Sequence, residues 1–170
     1  MSFEVPVGQG PRMLAYDPIH HYVFVSNYGD NTVSVIKKEE SQVFTTIRDP
    51  NFNFPFAVAF NPSNDCVYVT NPGIYPQGGN TVSVIATPDV TPTVIATIKV
   101  GSGPHGIAYN ENNQNMYVVN YISATVSVIE SSTNTVRGEV NLGYLPYYIA
   151  YNPLNSMMYV PNFLSGMPPC

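Results

Sequence analysis

Short apolar segments alternate with polar turn clusters along the chain, and one segment recurs almost letter for letter. Residues 32–36, 81–85 and 125–129 all read TVSVI. β-Branched residues alternating with a small polar one predict a strand with two different faces. Before each lies an aromatic–valine pair: Phe24 and Val25, Tyr68 and Val69, Tyr117 and Val118. Tyr159 and Val160 repeat the pair a fourth time. Four prolines, Pro11, Pro55, Pro104 and Pro146, anchor the register. Their spacings are 44, 49 and 42 residues (11 to 55, 55 to 104, 104 to 146). Four positions after each stands Ala15, Ala59, Ala108 or Ala150. The aromatics Tyr16, Phe60, Tyr109 and Tyr151 come next, then Asp17, Asn61, Asn110 and Asn152. Asn27, Asn71, Asn120 and Asn162 each lie 16 residues after their proline.

Each unit reads as four strands. The first covers residues 13–16, 57–60, 106–109 and 148–151. The second carries the aromatic–valine pair, the third is TVSVI, and the fourth spans 43–47, 94–100 and 136–142. Four short antiparallel strands per unit of this length make the blade of a β-propeller, an all-β fold. The small alanine on the innermost strand lets blades approach where the ring is narrowest. The link between strands one and two has type I turn chemistry, with Asx first and most often Pro second. His20, Asn64, Asn113 and Asn155 at its last position predict a positive φ there. The asparagine closing strand two is expected to satisfy backbone groups of the following turn.

The sequence Tyr68, Val69, Thr70, Asn71 gives the signature of the YVTN-repeat propellers, and the surrounding frame of Pro, Ala, aromatic, Asn-Pro and TVSVI resembles that family over nearly the whole chain. The resemblance implies an extracellular or cell-surface propeller, often seven-bladed, related to a broader set that includes enzymes. Fold does not carry function across such a set.

The strand count leaves the ring open. Residues 3–8 align with 96–101 and 139–143, and read as a fourth strand ahead of its blade. Three complete blades follow, then two strands of another, so the 1–170 span is one propeller segment with partial blades at both ends. A seven-bladed ring needs about 300 residues at this period. The ring is therefore either shared between copies or continued in a longer chain. The shared ring, a homodimer of eight blades in which the N-terminal strand of each copy completes the last blade of the other, is the expected assembly.

Composition narrows the chemistry. The chain is 44% hydrophobic and only 10% charged, with net charge −5, which argues against nucleic-acid binding. Sixteen Pro and twelve Gly leave little room for long helices. No apolar run is long enough to span a bilayer, and the first residues lack the basic and apolar pattern of a signal peptide. Cys66 and Cys170 leave both a bridge and free thiols open. No nucleophile–base pair, phosphate loop or Cys/His cluster is present, so no cofactor is expected.

Ligands of propellers approach one end of the central channel. Two sets of loops line that end here. Arg12, Phe56, His105 and Tyr147 each follow an anchor proline, and this column differs in every blade. The loops after strand two contribute Tyr28, Asp30 and Tyr121, and the stretch 72–80 with Ile74, Tyr75 and Gln77. That stretch lengthens the Asn-to-Thr interval from 5 residues (27 to 32) to 10 (71 to 81), and long loops on rigid scaffolds are favoured recognition sites. His20 and His21 fall on the opposite end as turn residues. Lys37, Lys38, Glu39 and Glu40 form a solvated cluster on the outer rim. The expected function is that of a non-catalytic binding or structural propeller, presenting loops at the channel mouth to a protein or small molecule. The alternative is an enzyme or metal-binding propeller with His105 as general base or ligand.

Overall fold

A computed structural model describes residues 4–38, 40, 42–88, 90–143 and 145–162. Their secondary structure is all β, in three four-stranded antiparallel sheets and one pair. The first blade is β1 (Pro11–Asp17), β2 (Tyr22–Asn27), β3 (Thr32–Lys37) and β4 (Val43–Arg48). The second is β5 (Val58–Asn61), β6 (Cys66–Asn71), β7 (Thr81–Ala86) and β8 (Thr93–Lys99). The third is β9 (Pro104–Asn110), β10 (Asn115–Asn120), β11 (Thr125–Glu130) and β12 (Thr135–Asn141). A half-blade of β13 (Ala150–Asn152) and β14 (Met157–Tyr159) follows. In each complete blade the strands pair in chain order, and the third and fourth slip register at the same place, between Val35 and Ile36, Val84 and Ile85, Val128 and Ile129. A bulge there increases the twist of the outer edge.

The core lies between blades. Tyr22, Phe24, Val33 and Val35 of the first blade pack on Val58, Val67, Val69 and Ile85 of the second. Tyr68, Val82, Val84 and Ile98 of the second pack on Ile107, Met116, Val118 and Ile129 of the third. Alternate residues of one strand thus serve different junctions, which is what the period-two pattern prescribes. Ala15 and Ala59 sit against these two cores.

Three expectations change. The positive φ falls one residue later than predicted, on His21, Asp65, Gln114 and Ser156. Asp17 and Asn61 accept from backbone N–H groups two residues on, and Asn110 does the same. These Asx turns hold the turn right-handed, so the left-handed residue that returns the chain to the strand comes after it. The repeated asparagine bonds side chains rather than backbone. Its Nδ2 donates to the threonine and serine hydroxyls of the next strand, from Asn27 to Thr32 and Ser34, Asn71 to Thr81 and Ser83, and Asn120 to Thr125 and Ser127. Finally, residues 4–7 form no ladder, since no third strand lies beside them among the described residues. Phe3 of that segment, Glu39 of the rim cluster, the tail 163–170 and any pairing of Cys170 lie outside the described residues. Cys66 itself is buried, its thiol donating to the Asn64 carbonyl at 3.3 Å.

Candidate functional site

The blades present their anchor-proline links at one channel mouth, held by bonds between neighbours. The Ser26 hydroxyl donates to the Phe56 carbonyl at 2.6 Å, and the Thr70 hydroxyl donates to the His105 carbonyl at 2.9 Å. Gly106 N–H donates to the Tyr147 carbonyl at 3.0 Å. Each hydroxyl or amide fixes the mouth residue of the next blade, so their side chains converge.

They converge into an aromatic cluster. The His105 ring lies 4.7 Å from that of Tyr147, 5.0 Å from Phe56 and 5.3 Å from Tyr121. Tyr147 meets Phe56 and Tyr121 edge-on, both at 5.8 Å. Edge and tilted contacts are the favoured aromatic geometries. Tyr28 packs on Phe54 at 4.9 Å, and the Arg12 guanidinium lies 4.7 Å from the Tyr28 ring centre. Together they border a cleft of about 660 Å³, lined by Tyr28, Tyr75, His105, Tyr121, Leu145 and Tyr147 among others.

Electrostatics make His105 a neutral acceptor. Its Nδ1–H donates to the Gly103 carbonyl at 2.9 Å, so Nε2 carries the lone pair. Burial pushes its imidazole below the usual histidine range, against a smaller opposing effect of that bond. Burial also pushes the Tyr147 phenol up, with Tyr148 acting in the same direction and Arg12 against it.

Of the residues singled out from the sequence, Tyr28, Tyr75, His105, Tyr121 and Tyr147 line the cleft, with Phe56 buried against His105 and Tyr147 and the exposed Arg12 beside Tyr28. Gln77 and Ile74 are exposed on the 72–80 loop but do not line it. That loop is pinned to the next blade, its Gly79 carbonyl accepting from Gly103 N–H at 2.8 Å. The Asp30 carboxylate is engaged locally by Gln9 N–H at 2.6 Å. Sequence reasoning missed Phe54 and Leu145. Both precede an anchor proline and are left-handed, at φ 53° and 51°, as are Gly10 and Gly103 in the same column. A bulky residue there is strained. The signal available was two glycines and two large apolar residues sharing one column.

Among the described residues, the group of three potential metal ligands lies at the other end: Asp17, His20 and Asp65. His20 Nδ1 is 2.9 Å from Asp17 Oδ2 and 3.6 Å from Asp65 Oδ1, and the Thr87 hydroxyl donates to Asp65. These contacts tie the hairpins of the first two blades together. The His21 ring pairs with the Tyr16 hydroxyl at 2.8 Å, and the Lys37 ammonium lies 3.7 Å above the Phe44 ring.

The family profile described as lactonase, seven-bladed β-propeller, matches residues 4–140. The chain belongs to this lactonase propeller family. No curated protein matches its sequence. Among solved structures, this family member is similar to hydrazine synthase of Kuenenia stuttgartiensis, with TM-score 0.80 and 20% identity over 98% of this chain and 46% of that one. It is also similar to a functionally unknown protein from Desulfotomaculum acetoxidans (0.76, 18%, 92% and 50%) and to a protein from Lactobacillus plantarum (0.75, 17%, 95% and 51%). At these identities the likeness is one of fold. The chain spans about half the length of the structures it matches.

Proposed function

We propose that this propeller segment binds a small molecule with a flat, weakly polar face in the aromatic cleft at the channel mouth. One observation carries the reading. Leu145 in the cleft wall, and Phe54 packed against the wall residue Tyr28, keep large apolar side chains at left-handed positions where the other two blades use glycine, at a cost in backbone strain of about 1–3 kcal/mol per residue. Strain of this kind gathers at sites of function. The tyrosine rings give broad contact area with little side-chain entropy to lose, and the Arg12 guanidinium beside Tyr28 suits a partial negative charge at the rim. A cell-surface or secreted setting is supported by the YVTN-type motifs.

The test is a screen of monocyclic aromatic and pyranose compounds by saturation-transfer NMR, on the native chain and on Tyr147→Ala. Hits that disappear with Tyr147→Ala support the cleft. Hits unchanged by that substitution, and also unchanged when the 72–80 loop is trimmed to the five-residue spacing, refute it.

The family match and the neutral His105 favour a second reading, hydrolysis of a ring ester. Nε2 would take a proton from water as its oxygen adds to the carbonyl carbon. The proton would return to the ring oxygen as that C–O bond breaks. Turnover of δ-gluconolactone above its spontaneous rate, lost in His105→Ala, would establish it. A rate equal to the spontaneous one leaves binding alone.

A further inference from the structure

The junction between the first and second blades carries a different chemistry from the one that follows it. At the second junction the hairpin of one blade meets the next blade through neutral groups. Asn61 Nδ2 donates to the Ser131 hydroxyl at 2.6 Å, and Asn64 Nδ2 donates to the Ser131 carbonyl at 2.9 Å. Gln114 stands on the facing hairpin. At the first junction the same four repeat positions hold Asp17, His20, Asp65 and Thr87. Amides and a hydroxyl suffice to join two blades, so three ionisable side chains in their place call for a further reason. Asp17 is fully buried and Thr87 is 1% exposed. Asp17 Oδ1 accepts from the N–H groups of Ile19 and His20, which turns Oδ2 toward the imidazole, 2.9 Å from His20 Nδ1. Asp65 Oδ1 approaches the same nitrogen from the second blade at 3.6 Å. The Thr87 hydroxyl donates to Asp65 and orients it. Carboxylates only accept, and a neutral imidazole has a single N–H to share between two of them. The junction is therefore short of the positive charge that a buried carboxylate requires.

We propose that Asp17, His20 and Asp65 bind one divalent transition-metal ion of the zinc type, with Thr87 positioning Asp65. The three ligand atoms already lie within 4.8 Å of one another. Bonds of about 2.0–2.2 Å set tetrahedral ligand atoms about 3.3–3.6 Å apart, close to the 2.9 and 3.6 Å measured from His20 Nδ1. The Asp65 side chain is 42% exposed and has room to close toward Asp17. An imidazole among carboxylates suits zinc-like ions, whereas calcium and magnesium prefer oxygen ligands alone. On binding, the Nδ1 lone pair goes to the metal and the ring proton sits on Nε2. Three protein ligands leave a fourth position to water, and His20 also borders a depression of about 370 Å³ shared with His21 and Glu40. The Lys37 ammonium on that rim is turned onto the Phe44 ring. An ion here cross-links the hairpins of adjacent blades. All its donors belong to the two complete first blades, so the site stands whatever the ring beyond them.

Titration calorimetry with zinc chloride tests this on the full 170-residue chain, stripped with a chelator and returned to metal-free buffer. The wild type should take up one ion per chain, and zinc should raise its melting temperature. Asp17→Asn, His20→Asn and Asp65→Gln together install the set that the second junction already uses. That triple variant should fold and bind no zinc. Thr87→Val removes only the orienting hydroxyl and should weaken binding by roughly 10–100-fold. His21→Ala and His105→Ala should each bind as the wild type does, which separates the site from chance coordination by another histidine. A wild-type chain that takes up no zinc overturns the proposal. So does zinc retained by the triple variant, or zinc lost in His21→Ala or His105→Ala. If the triple variant fails to fold, Thr87→Val and the single change His20→Gln decide, and wild-type affinity in both overturns the site.

Discussion

Replacing Gly101 by alanine tests the asparagine clamp that the repeat encodes. Gly101 follows β8 and crosses directly over Asn120. A Cβ at Gly101 would stand 2.6 Å from Asn120 Nδ2, 2.7 Å from its Cγ and 2.9 Å from its Cβ. Unbonded carbon atoms prefer about 3.5–4.0 Å, so the asparagine must move by roughly 1 Å. It is fully buried and has nowhere to go without releasing its bonds to Thr125 and Ser127, both 2.9 Å. Two hydrogen bonds at about 1 kcal/mol each and overpacking at about 1–3 kcal/mol sum to about 3–5 kcal/mol. For a chain of this size that lowers the melting temperature by on the order of 10 °C. Gly138 on β12 is the control, because a Cβ there meets no atom within 4 Å. Alanine there should be neutral or stabilising by about 0.5–1 kcal/mol through lower backbone entropy in the unfolded chain. Circular-dichroism melts at one fixed protein concentration read both variants. A Gly101→Ala protein that melts with the wild type, or a Gly138→Ala protein that falls as far, would refute the clamp.

Leu145→Gly relieves left-handed strain while removing cleft wall, so stability should stay within about 1 kcal/mol of the wild type while affinity for any compound found in the cleft drops; a large loss of stability would show that Leu145 is there for packing. Burial, helped by the Asp65 charge, pushes the Cys66 thiol up to about 11. Iodoacetamide at mildly alkaline pH should therefore leave Cys66 unmodified until the protein unfolds, as peptide mapping would reveal. The folded state holds the thiol proton more tightly than the unfolded one. The stability this provides is complete below about pH 9 and declines as pH rises toward 11, a decline that Cys66→Ala should lessen in denaturant melts. His105 behaves in the opposite sense, since burial lowers its affinity for a proton. Its contribution is intact above about pH 6.5 and is lost as pH falls below that, so His105→Gln should flatten the acid limb of the stability profile.

The blade repeat was legible because it rests on columns that local chemistry enforces. TVSVI alternates to serve two blade junctions, Asx-Pro makes the inner hairpin, and glycine recurs where the chain crosses the buried asparagine at Gly8 and Gly101. The mouth of the channel was legible as a region, since the column of Arg12, Phe56, His105 and Tyr147 breaks the repeat. What the residues do to one another was not. The clamp joins Asn71 to Thr81 and Ser83 across a ten-residue interval, and the pattern alone does not say whether an asparagine bonds backbone or hydroxyl. Asp30 looked available for a ligand, yet the chain ahead of β1 returns and uses it. The strain at Phe54 and Leu145 depends on φ, which a large apolar residue before proline does not announce.

Side-chain NMR with ¹³C-labelled tyrosine and histidine tests the cleft as the seat of function most directly. The chain contains no tryptophan and only three histidines, so the ring signals can be assigned by single substitutions. On titration with a compound found in the pyranose and aromatic screen, shifts should concentrate on His105, Tyr121 and Tyr147, with His20 and His21 at the far end unmoved. Shifts confined to His20 and His21, or to the depression bordered by Ser63, Asn64 and Ser131 near Tyr68, would contradict the account.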